Sequence, residues 1–283
     1  MIKLVLPKGR IFQRVASLLN DCGLHIHVPD RAYRPTCSDD RLRVKIMKAQ
    51  NIPTLIELGS HDLGVTGHDW VEETSADVEV LLDLGYDPVQ IVAAAPRGLD
   101  LAALSAERPL RVATEYETLT RRWLDSRGLR ARIIRSFGAT EVFPPEDADL
   151  IVDNTATGTT LRENGLEIID VVLRSTTRVI ANRAAYADPA RRAVIDDVLL
   201  LMNAVEQGRT RVLLEMNIPA DALPTLIARL PAMKSPTVAQ LWGEQGYAVK
   251  AAVLRSEVAR LLPELRRLGA TDILETDIRK VMA

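Results

Sequence analysis

Between residues 2 and 154 the chain repeats one figure: a short apolar run rich in β-branched residues, then a stretch with helical spacing. "IKLVLP" (2–7) is followed by "RIFQRVASLLNDCG" (10–23), in which Gly23 suits a helix end. "IPTLIELGS" (52–60) is helical and leads into "DLGVTG" (62–67). "VQIVAAAP" (89–96), "LRVATEY" (110–116) and "ADLIVDN" (148–154) are further runs, and "YETLTRRWLDSRG" (116–128) is a helix closed by Gly128. Apolar residues on consecutive positions belong to strands covered on both faces. Their alternation with helices predicts parallel α/β layers with helices on both sides.

The pattern then changes. "LEIIDVVLRSTTRVIANR" (166–183) reads as two strands with "RST" between them, the second returning the chain to the first lobe. "DPARRAVIDDVLLLMNAVEQG" (188–208) is the longest helix, with Asp188 as N-cap, Pro189 at the first helical position and Gly208 closing it. Beyond it the order is strand, helix, short strand, strand, helix, strand, which is the ferredoxin-like plan. A boundary near Gly208 follows, and 283 residues suit two or three domains.

Charge and composition narrow the function. A net charge of −2 leaves no nucleic-acid footprint, and Trp70, Trp123 and Trp242 form no stacking ladder. No apolar run approaches the roughly 20 residues of a membrane span. The start reads as strand and turn without a secretory signal, so a cytoplasmic protein is expected. Two cysteines, Cys22 and Cys37, make no disulfide framework and fit a reducing compartment. With His25 and His27 they invite a metal reading. The tight cysteine pair of structural zinc sites is missing, so an ordinary helix–strand joint is preferred.

The stretch that carries chemistry is "DADLIVDNTATGTTLRENGLE" (147–167). Asp153 ends a strand, where ligands of open α/β sheets collect. Thr155, Thr157, Thr159 and Thr160 bring hydroxyls, Gly158 permits close approach, and a helix expected from about Leu161 turns N–H groups toward the loop. A carboxylate there can hold two sugar hydroxyls while the loop holds a phosphate, which describes a ribose 5-phosphate binder. A plain strand–turn–helix joint with capping threonines is the alternative.

An acid before a small Thr/Gly loop resembles the phosphoribosyl-diphosphate (PRPP) loop of phosphoribosyltransferases. The longer "GATEVFPPEDADLIVDNTATGTTLRENGLEII", with "LPKGR", "DLGVTGHDWVEE" and "ATEY" in the same order, resembles the ATP phosphoribosyltransferase family in its long form. The resemblance implies an α/β catalytic region with two lobes like those of periplasmic binding proteins, and a C-terminal ferredoxin-like (ACT-like) regulatory domain. It places lobe I at 1–90, completed by about 180–206, lobe II with the PRPP loop at 91–179, and the tail at 209–283. It implies attack of N1 of ATP on PRPP with loss of pyrophosphate, the first step of histidine biosynthesis. Mg²⁺ would be held mainly by substrate phosphates, with protein ligands unassigned.

By the same resemblance, Thr155, Ala156, Thr157, Gly158, Thr159 and Thr160 wrap the 5-phosphate, and Asp153 and Glu141 hold the ribose. Lys8, Gly9, Arg10, Lys48, Gly67, Asp69 and Tyr116 fall on the ATP side, with Lys8–Arg10 able to meet phosphates of either substrate. No acid–base residue is assigned. Histidine would bind the tail at Asn217, Met233, Thr237, Val253 and Asp272, with AMP as a further candidate inhibitor. A homo-oligomer follows, a hexamer with the dimer as alternative, and neither nucleic acid nor membrane is a partner. Two departures stand out. Lys48 and Asn51 replace the Arg and Asp of many relatives, and Asn217 stands where relatives place an acid. A non-catalytic two-lobed receptor, a phosphoribosyltransferase of another base and an inactive relative are the rival readings.

Overall fold

The computed structural model describes residues 1–28, 33–243 and 245–282. The chain begins with β1 (Ile2–Pro7), α1 (Arg10–Cys22), the two-residue β2 (Ile26–His27) and β3 (Thr36–Cys37), and β4 (Leu42–Met47). α2 (Ile52–Glu57), β5 (Leu63–Gly67), α3 (His68–Thr74) and β6 (Glu79–Asp83) follow. Next come β7 (Val89–Pro96), α4 (Leu101–Glu107), β8 (Leu110–Thr114), α5 (Glu117–Ser126) and β9 (Ala131–Arg135). β10 (Leu150–Thr155), α6 (Thr159–Glu163), β11 (Leu166–Ser175) and β12 (Thr177–Ala181) complete the sheets of this half. α7 (Arg183–Ala187) and α8 (Pro189–Arg209) lead to β13 (Arg211–Pro219), α9 (Leu223–Arg229), β14 (Thr237–Gln240), β15 (Gly246–Leu254), α10 (Arg255–Arg267) and β16 (Thr271–Asp277).

Two five-stranded sheets build the catalytic region, in the orders β4-β1-β5-β12-β6 and β11-β7-β10-β8-β9. The chain crosses between them at residues 84–88 and again at Thr176, so β12 lies in the first sheet although β11 lies in the second. This is the two-lobed plan of periplasmic binding proteins. The expectation of wholly parallel layers is corrected. β12 runs antiparallel to β5 and β6, and β7 runs antiparallel to β10 and β11. A strand that enters a lobe from its neighbour arrives at the far end of the sheet, without the βαβ crossover that enforces parallel pairing.

The central strands are covered on both faces: every residue of β5 is buried, as is Ile91–Ala95 of β7. Gly64 in β5 lets α2 close on the sheet, since a Cβ there would lie 2.9 Å from Ile52. The start of β10 is fixed by charge. Asp149, buried just before the strand, takes two hydrogen bonds of 2.7 Å from Arg108, and others from the Arg111 amide and side chain. These cations hold its carboxyl well below the usual carboxylate range.

A second compact unit comprises Ser17–Leu24 and Asp196–Ala283. Its sheet order, β14-β15-β13-β16, is ferredoxin-like, with Val212, Leu214, Met216, Val249 and Val253 packed against α9 and α10. Asp188 accepts from the Arg191 amide at 2.8 Å as the expected N-cap of α8. Gly208, expected to close α8, lies inside it instead. A Cβ there would meet the Ile278 carbonyl at 2.8 Å, so close packing rather than a helix stop requires glycine. The middle of the Cys/His segment, 29–32, lies outside the described residues. Among the described residues no cluster able to hold a metal occurs, and the strand expected to carry His25 and His27 is only Ile26–His27. Among the described residues no helix is long and apolar enough to cross a membrane.

Candidate active site

Asp153 and Asn154 stand at the carboxyl end of β10, between β7 and β8. Beyond them the chain turns through Ala156 and Thr157 to Gly158, which has φ of +71° and a buried backbone. The Gly158 amide donates to Thr155 Oγ1 at 2.8 Å, and the hydroxyls of Thr157 and Thr159 lie 3.0 Å apart. Arg162, one turn into α6, donates to the Thr157 carbonyl at 3.2 Å and to Thr159 Oγ1 at 3.1 Å. The loop is therefore laced before any ligand arrives. α6 starts at Thr159, two residues ahead of the expected position, and runs for five residues.

This loop walls a cavity of about 440 Å³. Asp153 and Glu141 face it as expected, joined by Glu115 from the end of β8 and by Arg10 from the start of α1. Burial raises the Asp153 carboxyl above the ordinary value, and Glu115 and Glu141 push the same way; the Asn154 amide and the Thr140 hydroxyl oppose them. Arg10 is held by Asp87 at 2.9 Å, on the first crossing between the sheets. Asp87 has a side chain only 6% exposed, and its second oxygen has no partner among the described residues.

A neighbouring groove of about 470 Å³ lies between Lys48, Gln50, Trp70, Glu115 and Arg135. Lys48 reaches it from the short turn Ala49–Asn51, which Thr66 anchors through a 3.0 Å bond to the Ala49 carbonyl. Gln50 donates to Glu115 at 3.1 Å, so Glu115 is a wall common to both spaces.

Behind these spaces runs a buried network. Tyr116, 1% exposed, stacks on Trp70 with centroids 4.6 Å apart and donates to Asp69 Oδ2 at 3.0 Å. Ser175, at the second crossing, donates to Asp69 Oδ1 at 2.6 Å and accepts from the Asp69 amide at 2.9 Å. Asn154 donates to the Tyr116 hydroxyl at 3.3 Å, tying the strand that leads into the threonine loop to the same group. Burial first, then Asp69, pushes the Tyr116 phenol far above its ordinary value. A Cβ on Gly67 would collide with the Asp69 carboxylate, so that glycine makes room for the network.

The other residues named from sequence divide. Lys8 lies 5.4 Å from the Tyr33 ring centroid and lines neither cavity, while Gly9 supplies the turn with φ of +94°. Arg10 is brought to the loop cavity. His68 sits 4.0 Å from Glu72 on its own helix. In the tail, Asn217 donates to Asp272 Oδ2 at 3.0 Å, so these two do meet. Thr237 on β14 is separated from Asn217 on β13 by β15, and Val253 is a core side chain at 1% exposure. The Met233 amide bonds the Ala252 carbonyl at 3.0 Å.

Sequence reading missed Glu115, Arg162, Asp87, Trp70 and Arg135. Arg162 was findable, since it falls three residues after Thr159, one helical turn along. Asp87 and Arg135 carry no local signal, because they reach the site through the sheet crossing and an edge strand.

A two-lobed α/β fold with an acid-and-threonine loop at a central strand end defines a class, the phosphoribosyltransferases built on this scaffold. The profile described as ATP phosphoribosyltransferase matches residues 48–204, and that of the HisG C-terminal domain matches 208–280. The chain belongs to the ATP phosphoribosyltransferase family. It is 39% identical to the ATP phosphoribosyltransferase of Chlorobium phaeovibrioides, across 100% of this chain and 98% of that one. The Thermodesulfovibrio yellowstonii protein of the same name is 36% identical with the same coverage. Among solved structures, the ATP phosphoribosyl transferase (HisG:HisZ) complex from Thermotoga maritima is similar, with a TM-score of 0.64 and 28% identity. That match covers 71% of this chain and 98% of that one.

Proposed function

We infer that the chain joins ATP to PRPP, giving N1-(5-phosphoribosyl)-ATP and pyrophosphate, the opening step of histidine biosynthesis. The observation that carries this reading is the cavity in which Asp153 and Glu141 face the laced Thr155–Thr160 loop and Arg10. In the reaction the lone pair on adenine N1 forms the bond to C1 of the ribose as the bond from C1 to the pyrophosphate oxygen breaks, and the pyrophosphate carries away the electron pair. The nucleophile needs no deprotonation, which agrees with the absence of an assigned base. The developing positive charge on the ribose favours nearby carboxylates, and fixed carboxylates act without reorganisation. Asp153 and Glu141 accept from the ribose hydroxyls, and the loop holds the 5-phosphate, so that C1 is aimed at the incoming base.

Three carboxylates, Glu115, Glu141 and Asp153, face one cavity without a closed set of three ligands among the described residues. That arrangement fits Mg²⁺, which keeps several waters and binds through one or two carboxylates plus substrate phosphates. When bound, the ion would neutralise charge on the departing pyrophosphate. The groove by Lys48, Trp70 and Arg135 suits ATP, with aromatic surface for the base and cations for the phosphates.

For the tail, histidine inhibition and assembly into hexamers are part of the same reading, with Asn217 and Asp272 as the polar end of the histidine site. Lobe I spans 1–90 with 180–206, lobe II 91–179 and the regulatory domain 209–283.

Mass-spectrometric assay with ATP, PRPP and Mg²⁺ tests the reaction, with Asp153→Ala as control. Product formation lost in the control is expected. PRPP binding without product would point instead to a sensor. Activity unchanged at millimolar histidine would remove the regulatory part.

A further inference from the structure

A third cavity, of about 500 Å³, lies at the β4 edge of the first sheet, and the reaction above makes no use of it. β1 and β4 run parallel with Lys3 opposite Arg43 and Val5 opposite Lys45. Paired positions share a face, and alternate residues of a strand return to it, so Lys3, Arg43 and Lys45 project together. Arg34 joins them from the segment before β3, and His61 from the turn before β5. Four segments of the chain thus bring four permanent cations and an imidazole to one wall.

Among the described residues no carboxylate lines this cavity. The nearest acid by sequence, Asp62, is already engaged, accepting from the Lys3 amide at 2.8 Å and from Arg191 at 3.1 Å. Among the described residues none of the four cationic side chains has an ion-pair partner. In a chain of net charge −2, converging unopposed cations mark a local field for an anion. Solvated surface lysines would give the same charge, but His61 argues otherwise. It is only 8% exposed, and its Nδ1 is buried with no partner among the described residues. Burial first, then Lys45, Lys3 and Arg34, push the His61 pKa below its ordinary value, while Asp62 opposes them.

We propose that this cavity is a second anion site, separate from the catalytic cavities, for a phosphorylated small molecule. Its phosphate lies among Lys3, Arg43 and Lys45, and its organic part lies against Pro35. The volume sets the class. About 500 Å³ falls in the range of small-molecule pockets and exceeds what a lone phosphate fills. The concave shape favours a small ligand over an acidic protein surface.

The chain has four histidines, so the test can be read at one of them. The full-length protein is labelled with ¹³C,¹⁵N-histidine, and the His61 signal is identified by its loss in His61→Asn. Inorganic phosphate and ribose 5-phosphate are then titrated separately at constant ionic strength. The expected result is a saturable shift at His61, reached at several-fold lower concentration with ribose 5-phosphate. The shift is expected to disappear in Arg43→Gln and Lys45→Gln, whose transferase kinetics stay unchanged. No movement of His61, a shift that never saturates, a shift confined to His68, or one that survives both substitutions would overturn the site. Equal saturation by phosphate and ribose 5-phosphate would overturn the assignment to a phosphate ester.

Discussion

The threonine-loop cavity takes most of its wall from one continuous run, residues 153–161, whereas the Lys48 groove draws on 48–51, 70–74, Glu115 and 135–137. The first is set by local geometry: a strand end, a glycine with positive φ and an arginine clip one helical turn on. The second exists only once both sheets are in place, and its pieces come from each of them. A site made from one segment concentrates its function in few residues, so single changes should act strongly there. A site assembled from four spreads its contribution and should tolerate change better.

Four substitutions sharpen that contrast. Asp153→Asn should cost roughly 10²–10³-fold in kcat/KM for PRPP, the range found when one preorganised transition-state contact is removed. A loss below tenfold would end the concentrated-site view. The same carboxyl predicts a pH effect. Its folded pKa is raised, and the ionised form accepts the ribose hydroxyls. The KM for PRPP should therefore climb as pH falls through a window above the ordinary carboxylate value. For stability the sign is opposite: an acid with a raised folded pKa contributes more at low pH and less as pH rises. Asp153→Asn should consequently be as stable as the parent or more so near neutrality, which thermal melts would show, while activity collapses.

Arg10→Ala comes next, with roughly a tenfold rise in the KM for PRPP. A hydrogen bond to a charged group is worth about 1.5–3 kcal/mol, and the low end applies to a largely exposed side chain. If the KM for ATP rises instead, Arg10 belongs to the groove. Tyr116→Phe tests the partition behind both spaces. It leaves Asp69 short of a donor, at a cost of about 1–3 kcal/mol. For a protein of this size that means a fall of several degrees in Tm. The smallest effect should be Lys48→Arg, changing the KM for ATP within about threefold; a larger change would show that the groove also relies on one residue.

What could be read beforehand follows the same division. Asp153 through Thr160 was legible because the chemistry lies within eight consecutive residues. Of the strands that escaped reading, β4, β6 and β9 lie at the edges of the two five-stranded sheets. "LRVKIM", "EVLLD" and "ARIIR" carry charge because one side of each meets water, so the apolar continuity that announces a central strand is broken. The return of β12 to the first lobe was legible, but the antiparallel directions of β7 and β12 were lost for a different reason, since direction is set by which lobe a strand enters from. Tyr116 and Asp69 were named for a ligand and turn out to bond each other. Side chains chosen by residue type alone do not reveal which of their neighbours have already claimed them.

The hydrogen bonds inside the threonine loop carry a thermodynamic consequence. Thr155, Thr157, Thr159 and Arg162 restrict one another in the free protein, so the conformational entropy of that turn is lost during folding and not when substrate arrives. Calorimetry of ribose 5-phosphate binding at this loop should then show a small entropic penalty. Arg162→Ala, which touches no ligand in this reading, should enlarge that penalty while leaving the enthalpy of binding nearly where it was.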